Sequence, residues 1–183
     1  LEDLDILYII SPEPIAMEKH SVELIVHALN TNQVRYLIAE GLAVVAHGYL
    51  RFTADLDLLL AMDEENLAAA VSALKRLNYR PRAPVDFEQF IDSEHRRQWI
   101  EEKGLTVFSL YSPDHAATEI DLFVDPPLVF ADAYLRAARM EVSPGIMATF
   151  CSLDDLIDLK TKAGRPIDRE DIVKLRKLHE RIR

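Results

Sequence analysis

Residues 54–61, ADLDLLLA, set the tightest limit on how this chain folds. Acids and leucines alternate at first, and then only apolar residues follow. That period of two is the mark of a β-strand, so Asp55 and Asp57 point to the same face. Their Cα atoms lie about 6.6 Å apart along the strand. Two ionised carboxylates roughly 5.5 Å apart repel by about 3 kcal/mol at an effective dielectric near 20. Either that face is solvated and the acids are surface residues, or a cation offsets the repulsion. On D-x-D alone, the solvated face is the commoner outcome.

A second acidic pair stands in TEIDLFVD, where Glu119 and Asp121 again share one face of a strand. If this strand lies beside the first, Asp121 completes a cluster of three carboxylates. Such a cluster suits a hard divalent cation, above all Mg²⁺, which takes one or two carboxylates together with substrate phosphates. Two such ions can activate an attacking hydroxyl and steady a leaving pyrophosphate.

The remaining pattern supplies the frame. An amphipathic helix is expected over about 15–30, after the turn cluster SPEP at 11–14. VRYLIA (34–39) reads as a buried strand, GLAVVAHGY as a glycine-flanked helix and 63–78 as a helix with an acidic start and a basic end. Residues 79–104 give no clear assignment beyond a short helix. LTVFSLYS and TEIDLFVD read as paired strands. A helix around 129–138, a hairpin at 143–145 and two helices over about 153–163 and 169–182 close the chain. The fold class is therefore α/β (α+β): a small mixed sheet flanked by helices, with C-terminal helices. The organisation is a core over 1–150 and a helical segment over 151–183 packed on it.

Composition excludes several functions. The net charge of −10 argues against an extended nucleic-acid surface. The charge is uneven: residues 151–183 carry nine Lys/Arg against seven Asp/Glu, the preceding part twelve against twenty-four. A single cysteine, Cys151, rules out an intrachain disulfide framework and fits a cytoplasmic setting. No apolar run approaches the roughly 20 residues of a membrane span, and LDILYII near the start lacks the basic flank of a signal peptide.

IAEGLAVVAHGYLRFTADLDLLL resembles the signature of the DNA polymerase β-like nucleotidyltransferase superfamily, in which a glycine pair precedes D-x-D by some ten residues. Gly41 matches the second glycine, with thirteen residues between it and Asp55. HGYLRFTADLD is similar to the form found in stand-alone bacterial members, through His47, Gly48, Arg51 and Thr53. EIDLF resembles the strand carrying the third carboxylate, which puts Asp121 in that role. DLIDLKTKAGRPIDREDI is similar to the ending of the same subgroup, through Lys160, Gly164, Arg165, Asp168 and Asp171.

The resemblance implies a nucleotidyltransferase-like fold and Mg²⁺-dependent transfer of an NMP from an NTP to an acceptor hydroxyl. Asp55, Asp57 and Asp121 would be the catalytic, metal-binding acids. Gly41, at a helix start, would admit a phosphate. Thr53 would either hold a phosphate oxygen or close the local turn. Arg51 would pair with phosphate or, with slightly more weight, with an acid of the cluster. Lys160, Lys162 and Arg165 would meet phosphates or acceptor, although Arg165 suits an ion pair with Asp168 or Asp171 equally well. His47, on an apolar helix, reads as a core histidine. The acceptor is a small molecule, a protein or a short RNA end, toxin–antitoxin members among the look-alikes favouring the last two, and a homo-oligomer is compatible with all three. An unrelated phosphoester hydrolase is disfavoured because no histidine or cysteine set accompanies the acids. Glu40 replaces the first glycine, placing a negative charge where a triphosphate would lie. It must turn into solvent or weaken nucleotide binding, so the alternative is an inactive fold kept as a binding or interaction module.

Overall fold

The computed structural model describes residues 18–180. Helix α1 (Lys19–Thr31) leads to strand β1 (Tyr36–Ile38), α2 (Glu40–Ala46), β2 (Asp55–Leu60) and α3 (Glu64–Arg76). After β3 (Arg80–Pro81) come α4 (Ser93–Lys103), β4 (Val107–Tyr111), β5 (Glu119–Phe123) and α5 (Phe130–Leu135). The hairpin β6 (Ala138–Ser143) and β7 (Ile146–Phe150) precedes α6 (Leu153–Ala163) and α7 (Pro166–Glu180). The seven strands form one mixed sheet in the order β3-β4-β5-β2-β1-β7-β6. The expected turn at 11–14, the start of the first helix and the last residues of the final helix fall outside the described residues.

The sheet's centre explains the sequence of β2. Leu56, Leu58, Leu59 and Leu60 are buried, while Asp55 is exposed and Asp57 half-buried. β2 pairs with β5 in parallel and with β1 antiparallel, so it is a central strand covered along most of its length. α3 is capped as its sequence demands: the Asp63 carboxylate accepts the Asn66 N–H, with Glu64 and Glu65 in the first turn and Lys75 and Arg76 in the last.

Two stretches differ from expectation. The unassigned 79–104 segment forms the short edge strand β3, a 3-10 turn at Phe87–Phe90 and α4. α4 is almost wholly polar and buries only Arg96 and Trp99, so it has no apolar stripe to betray it. Tertiary contact holds it, through Trp99 stacked on Phe108 at 5.1 Å between ring centres. The helix expected at 129–138 is the shorter α5, because the chain from Ala138 onward enters the β6–β7 hairpin, whose turn uses Gly145 at φ +79.

Candidate active site

β2 and β5 bring the acids together through backbone register. Asp57 is the Cα partner of Asp121, and Asp55 of Glu119. Neighbouring strands lie about 4.8 Å apart, so all four acids share one face of the central strand pair. Glu119 is taken up by Arg82, whose Nε donates to Oε2 at 2.8 Å and whose Nη2 bonds Oε1. Asp55, Asp57 and Asp121 have no basic ion-pair partner among the described residues.

The cost of this arrangement appears at Asp57. Burial, then the charges of Glu40, Asp121 and Asp55, push its carboxyl up to about 8, against the opposing pull of Arg165. Asp55 is also raised, by burial and by Asp121 and Glu119. Among the described residues, no three acid, histidine or cysteine side chains already close into a metal cage. The donor set nevertheless fits a hard divalent cation in two respects: every candidate ligand is a carboxylate oxygen, and a bound cation would offset the mutual repulsion that raises Asp55 and Asp57.

The basic residues expected at phosphates are engaged elsewhere. Lys160 has no solvent-exposed side-chain surface, and its Nζ lies 2.9 Å from Asp171, 3.1 Å from Asp168 and 3.1 Å from Glu40. Burial works to lower its pKa, yet the three carboxylates prevail and raise it. Arg165 holds Asp168 through Nε at 2.7 Å and Glu40 through Nη2 at 2.6 Å. Arg51 lies 3.2 Å from Asp171, an acid of α7 outside the Asp55–Asp57–Asp121 cluster with which the sequence favoured pairing it. Lys162 donates to the Pro127 carbonyl at 2.9 Å.

Glu40 does not take the expected turn into solvent. It turns into the protein, onto Lys160 and Arg165, from a backbone in the left-handed region (φ +47). A glycine would adopt that conformation freely, and a residue with a Cβ is strained by about 1–2 kcal/mol. The ion pairs hold the strain. At Gly41, a Cβ would meet Thr53 Oγ1 at 2.2 Å and Arg51 at 3.2 Å, so the glycine's missing side chain makes room for Thr53 and Arg51. Thr53 itself donates to the Asp55 carbonyl at 3.4 Å, a local turn contact. His47 is structural, its Nε2 2.9 Å from the Cys151 carbonyl.

Arg82 escaped sequence reasoning. It lies in an irregular proline-flanked stretch, and only the β3–β4–β5 edge carries it to the acid face.

Three solved structures share this fold. A crystal structure of an antigenic nucleotidyltransferase-like protein from Paracoccidioides brasiliensis superposes with a TM-score of 0.56 at 16% identity, over 87% of this chain and 75% of that one. A crystal structure of ANT(2")-Ia in complex with adenylyl-2"-tobramycin gives 0.51 at 18% identity, over 86% of each chain. A solution structure of the antibiotic-resistance factor ANT(2'')-Ia gives 0.51 at 16% identity, over 88% and 90%. No protein-family model and no curated protein matches the sequence. The chain therefore has a nucleotidyltransferase-like fold. No helix among the described residues is long and apolar enough to cross a membrane.

Proposed function

We propose that the protein transfers a nucleoside monophosphate from an NTP to an acceptor hydroxyl, using Mg²⁺ held by Asp55, Asp57 and Asp121. The single observation that carries this reading is the pairing of Asp57 with Asp121 across parallel strands, with Asp55 on the same face and no ion-pairing base for the three among the described residues. Bound there, divalent ions would offset the charge of the triphosphate and of the acids. Asp121, on the far strand, takes the proton of the acceptor hydroxyl on a carboxylate oxygen. The new bond joins the acceptor oxygen to the α-phosphorus. The α–β P–O bond breaks, and its electron pair leaves with pyrophosphate. Among structures of similar fold, ANT(2")-Ia is in complex with adenylyl-2"-tobramycin, which agrees with this class of chemistry.

A second reading is favoured by one observation, the hold of Glu40 on Lys160 and Arg165. With those cations engaged, the fold would serve as a binding module. One experiment separates the two. The purified chain is incubated with Mg²⁺ and each α-labelled NTP over a panel of small-molecule, protein and RNA acceptors. Label transfer that falls by about a thousandfold or more in Asp57→Asn and Asp121→Asn supports the enzyme. Transfer unchanged in both variants overturns the assignment of Asp57 and Asp121, and no transfer at all alongside tight Mg²⁺–NTP binding rejects the enzyme for the module.

A further inference from the structure

Four carboxylates share one face of the central strands, and Glu119 stands to Asp55 as Asp121 stands to Asp57. Glu119 and Asp121 are both half-buried, two residues apart on β5, so the strand itself gives a metal ion no reason to take one and leave the other. What separates them is Arg82. Its Nε donates to Glu119 Oε2 at 2.8 Å and its Nη2 bonds Oε1, so one guanidinium occupies both oxygens of that carboxylate. Asp121 has no such partner among the described residues.

The guanidinium comes from the sheet edge, two strands away. β3 pairs with β4 through Arg80 and Pro81, and the Arg82 N–H then donates to the Ser109 carbonyl at 3.0 Å. Ser109 is in turn the Cα partner of Asp121. The backbone of Arg82 is therefore fixed in register with the acids. Tyr111 steadies the side chain, its ring centre 5.7 Å from Arg82 Cζ. Arg80, on the same edge strand, does not share this task, since its Nη2 donates to Asn78 at 2.8 Å. Arg82 is exposed and Glu119 half-buried, and an ion pair so placed adds little to the stability of a fold. Its consequence is local to the acid face.

Resting on the transfer reading above, we propose that Arg82 is a positioning residue that withholds Glu119 from the metal site, so that a divalent ion meets Asp55, Asp57 and Asp121 and not a fourth carboxylate. Mg²⁺ demands near-ideal octahedral geometry, and a site for substrate phosphates must leave several positions to substrate and water. A fourth carboxylate would take such a position and add a negative charge facing the triphosphate. The two-pronged hold of Arg82 on Glu119 prevents both.

The test reads the metal site without NTP or acceptor, by Tb³⁺ luminescence. Tb³⁺ is a hard, oxygen-seeking ion like Mg²⁺, and its decay rates in H₂O and D₂O count the waters it keeps. Arg82→Met frees Glu119, so Tb³⁺ should bind about tenfold tighter and keep about one water fewer than in the native chain. Glu119→Gln should leave the native water count unchanged, and in the Arg82→Met background should restore it. If Arg82 acted only as a nearby positive charge, binding would tighten with the water count unchanged, and that result overturns the proposal. So does a native water count that rises in Glu119→Gln, because Glu119 would then already be a ligand. Failure of the transfer reading looks different: Tb³⁺ would bind Asp57→Asn and Asp121→Asn as tightly as the native chain, which removes the metal site and this proposal with it. Binding that is lost in those two variants and indifferent to Arg82 rejects only the role of Arg82.

Discussion

Glu40, Asp168 and Asp171 are met by Lys160, Arg165 and Arg51, with every pair between 2.6 and 3.2 Å. Asp55, Asp57 and Asp121 face one another on the sheet, and the arginine near them is taken by Glu119. The two groups are close enough for Glu40 to be the largest charge acting on Asp57 and for Arg165 to oppose it. Carboxylates that serve the fold come with their own cations. Asp55, Asp57 and Asp121 have no such partner among the described residues.

The strongest way to break this comparison is to remove the cation at the centre of the first group. Lys160→Met would leave Glu40, Asp168 and Asp171 clustered around an apolar tip, and should destabilise the protein by about 3–5 kcal/mol. Urea unfolding measures it. A loss below about 1 kcal/mol would mean that the ion-pair knot is not what holds α6 and α7 onto α2.

Smaller, and opposite in sign, is the effect of removing charge from the second group. The folded-state carboxyl of Asp57 sits at about 8, above its ordinary 3.8. Its contribution to stability is therefore full below about pH 4 and is lost as pH rises through 8. Asp168 runs the other way. Burial works to raise its carboxyl, but Arg165 and Lys160 outweigh that and hold it below its ordinary value, so its contribution is lost as the medium becomes acidic. In chelator at pH 8.5, Asp57→Asn should melt about 5 °C above the native chain, and the gap should close toward pH 5. Mg²⁺ at pH 8.5 should raise the melting temperature of the native chain only. A gap that does not change with pH would show that Asp57 is not under this strain.

Glu40 joins the two regions and gives the finest test. Glu40→Gly relieves the left-handed strain and forfeits two ion pairs, so its stability should lie within about 1 kcal/mol of the native value. It also removes the largest charge raising Asp57. Mg²⁺ affinity at pH 7, read by calorimetry, should rise by roughly three- to tenfold. Unchanged affinity would separate the two regions electrostatically.

Much of this was legible in the chain because it is local. Alternating acids and leucines give a strand with one acidic face whatever surrounds it, and the capped, charge-graded α3 needs no partner to be recognised. The strands at 107–111 and 119–123 announced themselves in the same way. α4 did not, since Trp99 and Arg96 are its only buried residues and their partners lie outside the helix. Nor did Arg82, whose position depends on the pairing of an edge strand.

By itself, the sequence determined which acids share a face, because side-chain alternation is built into the extended backbone. Only the tertiary structure decided that Asp121 would lie against Asp57, that Gly41 would make room for Thr53, and that Lys160 and Arg165 would grip Glu40 some 120 residues away. Long, flexible basic side chains take whichever carboxylate the fold brings within reach, and that choice depends on burial and distance in space, which spacing along the chain does not encode.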